Sequence, residues 1–187
     1  MKVSEYIHQI TPLTLEEKTK VEAAFANATL KKGDFFAQEG KICRQLGFIL
    51  SGRLRNFYHD ENAVEKTCFF ATADTFITAY TSFITLAPSF ENIEAIEESH
   101  LRVISRPALE ALSESIPKIH VFRRIMSENM YILMEKRIHS LQSATALERY
   151  EQMIKENPDV LLNVPLQYTA SFLGITPQHL SRLRKKQ

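Results

Sequence analysis

Four of the five glycines in this chain fall between residues 33 and 52, at positions 33, 40, 47 and 52. Each lies beside residues that favour turns, so turn signals recur between short apolar runs, a pattern typical of antiparallel strands. Ten of the twelve phenylalanines also precede residue 91, which supplies the core of a sandwich. With two further strand candidates at 93–96 and 101–104, the first part of the chain is predicted to be a β-roll of jelly-roll type with eight strands.

Helical patterns flank this region. Thr14 and Glu17 form a capping box that predicts a helix over 15–25 as the opening element. After Pro107 the apolar period becomes helical and predicts one long helix over 117–141, followed by another over 144–156. The long helix carries two apolar stripes, which indicate two buried faces: one on the β-domain and one on a second copy of the chain. A core helix of a single chain is the alternative.

Composition excludes several classes of protein. A chain of 187 residues with 44% hydrophobic and 24% charged residues is neither a disulfide-stapled miniprotein nor a disordered chain. Cys43 and Cys68 are too few for a cysteine-ligated iron–sulfur cluster and lack zinc-site spacing. The one long low-charge stretch, 69–87, holds Asp74 and five threonines, so it is predicted to form strands and not a membrane span. With no signal peptide at the start, a cytoplasmic protein without a membrane partner is expected.

The last 23 residues carry the sharpest motif. Residues 165–183 are predicted to form a helix, a tight turn and a second helix. Ala170 is small where two helices cross, Gly174 takes a left-handed turn conformation, and Leu180 returns to the core. Thr176 is a good N-cap and Pro177 suits the first helical position, so the second helix begins where a recognition helix should.

Charge points to the same end of the chain. From Leu161 onward there are four basic residues and no Asp or Glu, a net charge of +4 in a chain whose total is +1. Residues 1–160 therefore sum to −3. A basic terminus on an acidic body is typical of a phosphate-binding end. A solvated basic tail is the alternative, but it does not explain the helix-turn-helix spacing.

These segments resemble the Crp/Fnr family of bacterial transcription regulators, and most closely its compact Bacteroidetes members. The resemblance rests on residues 30–40 (LKKGDFFAQEG), 47–55 (GFILSGRLR), 88–98 and 101–104, with the long helix and the terminal motif in family order. It implies an α+β fold with an N-terminal β-roll, a long dimerisation helix and a C-terminal helix-turn-helix. The expected boundaries are a cyclic-nucleotide-binding-like sensor domain over 1–112, a dimerisation helix over 113–143 and a DNA-binding domain over 144–187.

The resemblance also implies site residues. Base-reading positions are expected on one face of the second terminal helix, with basic residues on phosphate. The expected DNA-binding residues are Thr176, Gln178, Ser181, Arg182, Arg184, Lys185 and Lys186. The expected dimer interface comprises Phe122, Met126, Met130 and Leu133. The expected ligand pocket comprises Phe76, Thr78, Ala79, Ser89, Phe90 and Met134.

Two departures from the family pattern matter. Where cyclic-AMP-responsive members have a ribose-binding Gly-Glu pair and a phosphate-binding Arg-Ser pair, this chain reads Phe76-Ile77-Thr78 and Ser89-Phe90. Loss of the arginine removes the charge-assisted interaction with phosphate, so no cyclic AMP binding is expected. No cofactor is expected either, and a haem held by His59, His100 or His120 is the weaker alternative, because a lone histidine is more often a surface or core residue than a ligand. The chain ends at Gln187, so the helix-turn-helix is expected to lack a full wing, to touch the DNA backbone at fewer points and to keep its major-groove mode.

The leading hypothesis is a homodimeric transcription regulator of double-stranded DNA, constitutive or responsive to an unidentified small-molecule effector. The alternative is a β-roll binding module whose reduced helix-turn-helix contacts a protein. A metal enzyme of cupin type is disfavoured, because no two of the six histidines lie closer than nineteen residues in sequence. No Gly-rich phosphate loop, zinc-protease motif or serine nucleophile elbow occurs either, so a non-enzyme is expected.

Overall fold

The computed structural model describes residues 1–185, and over that range it contains eight strands and nine helices. The chain divides into two compact units. The first comprises Met1–Asn56 and Phe70–Glu128, and the second comprises Phe57–Phe69 and the chain from Asn129 onward.

The eight strands form two four-stranded sheets. The strands are β1 (Ala26–Leu30), β2 (Phe35–Ala37), β3 (Gln45–Ser51), β4 (Arg53–His59), β5 (Glu65–Thr72), β6 (Phe76–Ile77), β7 (Asn92–Ala95) and β8 (Ser99–Ser105). The first sheet has the order β1-β8-β3-β6 and the second β2-β7-β4-β5. In the first sheet β1 and β3 both pair antiparallel with β8, with Ala26 opposite Val103 and Gly47 opposite the same residue on the other side. This arrangement confirms the predicted jelly-roll type.

Gly52 makes the tight turn between β3 and β4. Its φ is +93°, and a Cβ atom at this position would lie 2.3 Å from Oγ of Ser99. The turn therefore needs glycine for two reasons, the left-handed backbone and the approach of Ser99.

Five helices lie wholly or partly in the first unit: α1 (Val3–Ile10), α2 (Leu15–Ala24), α3 (Tyr80–Thr85), α4 (Arg106–Ser115) and the start of α5 (Lys118–Ser143). The predicted capping box is present, since Thr14 Oγ1 accepts from the Glu17 N–H at 3.2 Å and Glu17 Oε2 accepts from the Thr14 N–H at 2.6 Å. The long helix is confirmed within two residues at each end. The prediction that α2 opens the chain is wrong, because α1 precedes it and packs Val3 and Ile7 into the core.

The prediction of strands throughout 69–87 is also wrong in part. Strands β5 and β6 lie there, but Tyr80–Thr85 is helical. Two hydroxyl groups of this helix donate to nearby carbonyls: Thr85 Oγ1 to Thr81 at 2.7 Å, and Ser82 Oγ to Ala87 at 2.6 Å. Phe83 packs in the first core cluster, and this packing outweighs the strand propensity of the threonines.

Two apolar clusters fill the first unit. One joins the helices to the first sheet through an aromatic group, in which the Phe76 ring lies 4.9 Å from Phe48, 5.6 Å from Tyr6 and 5.5 Å from Phe122, centroid to centroid. The other lies between the two sheets and includes Ile49, Leu54, Ile93 and Leu101, each at most 1% exposed.

The second unit holds the rest of α5 and four shorter helices: α6 (Ala146–Glu156), α7 (Pro158–Asn163), α8 (Leu166–Leu173) and α9 (Pro177–Arg184). Thr145 and Glu148 form a second capping box at the start of α6. Helix α7 was not predicted, although Pro158 stands at its first helical position, where proline is favoured. None of the helices within residues 1–185 is long and apolar enough to cross a membrane.

Candidate nucleic-acid interface and sensor site

The terminal motif is a helix, a tight turn and a second helix, as predicted. Gly174 ends α8 with φ +68°, and the N–H of Ile175 returns to the Ala170 carbonyl at 3.0 Å. Thr176 caps α9 by accepting the N–H of His179 at 3.2 Å. Ala170 and Leu180 are both fully buried, so the two helices share one small core.

One face of α9 is free for contact. Gln178, Arg182 and Lys185 are exposed and lie four and three residues apart, whereas Leu180 and Leu183 are buried on the opposite face. Ser181 is half-buried beside the exposed face. The exposed face therefore combines an amide with two cations, the side chains that recognise base edges and phosphate.

Two further predicted DNA-binding residues are Arg184 and Lys186. Arg184 is exposed, but its Nη2 donates to the Leu161 carbonyl of α7 at 2.8 Å. It therefore also fixes the end of α9 against α7. Lys186 lies outside the described residues.

Two arginines hold the C-terminal end of α8. Arg137 of α5 stacks over the Phe172 ring, 4.0 Å from its centroid, and donates to the Phe172 carbonyl. Arg149 of α6 donates from Nε to the Leu173 carbonyl at 2.9 Å. Burial lowers the pKa of Arg137, and the charge of Arg149 lowers it further. Cations at these carbonyls satisfy groups that a helix end leaves free and complement its dipole.

Ser171 joins α8 to strand β5 within the second unit. Its Oγ accepts the N–H of Thr67 at 2.9 Å and donates to the Glu65 carbonyl at 3.0 Å. β5 is an edge strand of its sheet. The Ser171 hydroxyl thus supplies the Thr67 N–H and the Glu65 carbonyl with the hydrogen bonds that a neighbouring strand would otherwise provide. Sequence reasoning missed this contact, because the two segments lie about a hundred residues apart.

The predicted pocket residues do not form one group. Phe76 packs in the aromatic core, Ala79 is fully buried in the second apolar cluster, and Phe90 is 59% exposed. Thr78 Oγ1 donates to the Gln45 carbonyl at 2.9 Å. Ser89 is buried and its Oγ donates to the Glu91 carbonyl at 2.8 Å. Met134 is half-buried and belongs to the second unit.

Buried polar groups that the sequence did not reveal line the second sheet. Asn56 Nδ2 donates to Glu91 Oε2 at 2.6 Å, and Arg55, only 1% exposed, donates to Glu94 at 2.9 Å. Burial raises the pKa of Glu91, while the hydrogen bond from Asn56 lowers it. Arg53 and Arg55 flank Leu54 along β4. Their acidic partners could not be identified from the sequence, because that requires knowing that β4 lies beside β7 in the sheet.

The predicted dimer residues lie along α5. Phe122 is 5% exposed inside the aromatic core of the first unit, so it packs against its own chain and is not available to a partner. Met126 is partly buried against the same core. Met130 and Leu133 are 42% and 46% exposed. Four further large apolar side chains on this half of the helix are exposed, namely Tyr131, Ile132, Ile138 and Leu141.

Metal-binding side chains are not grouped together in the part of the chain that the structure describes. Among residues 1–185 there is no cluster of three or more His, Cys, Asp or Glu side chains arranged to hold a metal ion. Cys43 is buried and Cys68 is half-buried.

Comparison with protein families matches residues 28–115 to the cyclic nucleotide-binding domain. A comparison with curated proteins by sequence finds no match. Among solved structures, the chain is similar to FixK2 from Bradyrhizobium japonicum, with a TM-score of 0.76 at 15% identity over 87% of this chain and 83% of that one.

Two further structures agree. The chain is similar to a putative transcriptional regulator of the Crp/Fnr family from Eubacterium rectale, with a TM-score of 0.72 at 15% identity over 97% of this chain and 87% of that one. It is also similar to the catabolite activator protein of Thermus thermophilus, with a TM-score of 0.64 at 15% identity over 97% and 85%. The chain therefore contains a cyclic nucleotide-binding domain at residues 28–115 and has the fold of the Crp/Fnr transcription regulators, which confirms the resemblance seen in its sequence.

Proposed function

We propose that this protein regulates transcription by binding double-stranded DNA as a homodimer, with α9 as the recognition helix. The observation that carries the proposal is the exposed face of α9, where Gln178, Arg182 and Lys185 project from a helix capped by Thr176. A helix-turn-helix inserts such a face into the major groove. Arg182 pairs with a guanine edge and Gln178 with an adenine, while Ser181 contacts either.

Phosphate contacts supply the remaining affinity. Lys185, Arg184 and Lys186 follow the recognition face and carry the positive charge of the terminus. Thr176 stands at the N-terminal end of α9, where backbone N–H groups attract an anion. These contacts position the helix and do not distinguish sequences.

Dimerisation follows from the exposed apolar side of α5 between Met130 and Leu141. An apolar surface of this kind on a regular helix is expected to bury itself against a second copy. A symmetric dimer then presents two α9 helices to successive major grooves, and the linkage raises the effective concentration of each weak half-site.

The β-roll acts as a sensor domain without cyclic AMP. The phosphate-binding arginine of cyclic-AMP-responsive members is replaced here by Ser89, and the carboxylate of Glu91 follows two residues later. A half-buried carboxylate repels phosphate. The effector is therefore not cyclic AMP.

A genome-wide pull-down of bound DNA tests the proposal directly. The expected result is a set of fragments that share a pseudo-palindromic motif, whose half-sites are about one helical turn apart. Recovery of no DNA, or of fragments that share no sequence motif, would contradict the proposal. Salt dependence checks the binding mode, because each neutralised phosphate contributes about 0.9 to the slope of log affinity against log salt concentration.

A further inference from the structure

A groove opens beside strand β2 in the first unit. Residues 35–38, residues 41–45 and Ser105 line it, and its volume is about 350 Å³. We refer to it as the β2–β3 groove. We propose that the β2–β3 groove binds an extended acidic segment of a partner protein, with an apolar side chain of that segment in contact with Phe35 and Ile42.

The charge of the groove is the first argument. Lys41 and Arg44 are both exposed, and the lining contains no Asp or Glu. Within residues 1–185 neither side chain forms an ion pair, although many cations of the first unit do, such as Lys18 with Glu5 and Arg123 with Glu110. Glu39 belongs to the same loop but lies outside the lining and meets Asn92 Nδ2 at 3.4 Å. Two cations without a partner favour an anionic ligand.

Exposed apolar side chains supply the second argument. Phe35 is 43% exposed and Ile42 is 37% exposed, and both line the groove above the buried ring of Phe36. Apolar side chains framed by charge are typical of protein-binding surfaces. A purely ionic ligand would leave this surface in water, so the partner segment carries an apolar residue among its acids.

The backbone of the loop is held in place before any partner arrives. The Gly40 N–H donates to the Ser89 carbonyl at 2.8 Å, and the Ser89 N–H donates to the Lys41 carbonyl at 2.8 Å. The Cys43 N–H donates to Ser82 Oγ at 2.9 Å. The Arg106 N–H donates to the Arg44 carbonyl at 2.9 Å. Because the loop is ordered already, binding costs little backbone entropy.

The edge of the second sheet explains why the segment is extended. β2 is the outer strand of the order β2-β7-β4-β5, and its one neighbouring strand in that order is β7. An extended peptide adds to such an edge through main-chain hydrogen bonds, while its alternate side chains enter the pockets beside it. The groove lining extends from this edge to Gln45 at the start of β3, so a segment paired with β2 can place its side chains along the groove.

This proposal stands apart from DNA binding. The groove belongs to the first unit, and α9 belongs to the second. Failure of one proposal therefore leaves the other intact, provided that DNA binding and peptide binding are measured on the same variants.

The test uses the full chain and a defined probe. The probe is a short capped peptide that alternates glutamate with leucine and phenylalanine, and its counterpart has lysine in place of glutamate. Binding is measured by fluorescence anisotropy and mapped by amide chemical shifts on ¹⁵N-labelled protein. The expected result is saturable binding of the acidic peptide, weaker at higher salt, with shifts at residues 35–45 and none of this with the lysine peptide.

Variants sharpen the test. Lys41→Glu with Arg44→Glu is expected to weaken acidic-peptide binding about tenfold or more, because two attractive interactions become repulsive. The matched control, Lys31→Glu with Lys32→Glu, makes the same charge change at exposed positions outside the groove lining and is expected to retain affinity. Ile42→Asn is expected to weaken binding without changing its salt dependence. DNA binding is measured for every variant and is expected to stay at the wild-type level.

Three outcomes overturn the proposal. Equal binding of the lysine peptide shows that the groove does not select charge. Full binding by the Lys41→Glu, Arg44→Glu variant, or shifts confined to other residues, places the peptide elsewhere. Shifts at residues 35–45 that depend on protein concentration alone show that a second copy of this chain occupies the groove.

Discussion

Asn56 and Glu91 meet through a hydrogen bond of 2.6 Å from the amide nitrogen of Asn56 to Oε2 of the carboxylate. Asn56 is 6% exposed, and its Oδ1 makes no hydrogen bond among the described residues. The resemblance to cyclic-AMP-responsive regulators aligns Ser89-Phe90 with their phosphate-binding pair, and Glu91 follows this stretch. That resemblance implies an acid and an unsatisfied acceptor close to a position where those regulators need a cation.

We predict that Glu91→Gln stabilises the protein at pH 8. Burial raises the pKa of Glu91, so the folded state binds its proton more tightly than the unfolded state does. The contribution of this group to stability is present below the ordinary glutamate range and is lost as the pH rises. A neutral glutamine avoids that loss and also offers an N–H to Asn56 Oδ1. A melting temperature higher by about 2–4 °C corresponds to ~1 kcal/mol in a chain of this size.

The same substitution should change little at pH 4, where the Glu91 carboxyl is largely protonated. Glu94→Gln is the matched control, because Glu94 accepts from the buried Arg55 and its loss weakens a buried ion pair. It should lower the melting temperature at pH 8. An equal rise for both variants, or a gain from Glu91→Gln that does not depend on pH, would contradict this account.

Ser171→Ala is predicted to loosen β5 at its edge. The substitution removes the acceptor for the Thr67 N–H and the donor to the Glu65 carbonyl, and Thr67 is 4% exposed. A buried backbone group without a partner costs about 1–3 kcal/mol. Hydrogen exchange of the Thr67 amide is expected to speed up together with a lower melting temperature. Ser181→Ala, also within the helix-turn-helix, should leave the Thr67 amide protected, and unchanged exchange in Ser171→Ala would refute the assigned role.

Local signals in the sequence account for most of the fold. Capping residues, turn glycines and apolar periods act over a few residues, so the bounds of α2 and α5 follow from the chain alone to within two residues, and so does the helix-turn-helix of α8 and α9. Helix α1 was missed because its first turn lacks a side-chain cap, and α3 because its threonines favour strands, whereas Phe83 packs a helix against the core.

The site was less predictable, because its contacts join distant segments. Gln178 and Arg182 could be placed on one helix face from spacing alone. Ser171 with Thr67, by contrast, depends on a contact between residues that lie 104 positions apart. For Phe122, spacing alone identified the helix face but not what covers it. The apolar stripe on α5 does not say whether this side chain faces its own core or a partner, and in the structure it faces the core.

Cyclic AMP is predicted not to bind the sensor domain. Titration calorimetry with the full chain is expected to show no heat of binding at physiological concentrations, because Ser89 replaces the arginine that the family resemblance leads one to expect and the Glu91 carboxylate follows two residues later. Micromolar affinity would show that backbone amides near Ala79 or Ser89 hold the phosphate.

The proposed dimer makes a prediction about α5. Leu133 is 46% exposed in the single chain, so Leu133→Glu costs little within one copy but would bury a charge between two. Light scattering at micromolar concentration is expected to report a dimer for the wild type and a folded monomer for Leu133→Glu. Met130→Glu should behave in the same way. Lys136→Glu, which introduces the same side chain at an exposed polar position of the helix, should remain dimeric. A monomeric wild type would disprove this interface.

Replacing Arg182 by alanine and replacing Lys185 by alanine are predicted to change DNA binding in different ways. Both are exposed, Arg182 in the last turn of α9 and Lys185 at the residue that caps the C-terminal end of that helix. Arg182→Ala removes a contact with a guanine edge, so it should cost about 1–3 kcal/mol per half-site and relax the preference at one base position. Lys185→Ala removes a phosphate contact, so all sequences should weaken about equally and the salt slope should fall by about one unit per contact.

Binding-site selection with the wild type and both variants separates these effects from a general loss of charge. If Arg182 only adds positive charge to the terminus, both substitutions lower affinity alike and leave the selected motif unchanged. Arg182→Lys is the informative intermediate, because it keeps the charge but loses the planar pair of donors that fits guanine O6 and N7. Under the recognition model it should restore the salt slope and not the base preference. A wild-type motif selected by Arg182→Ala would remove Arg182 from the set of base-reading residues.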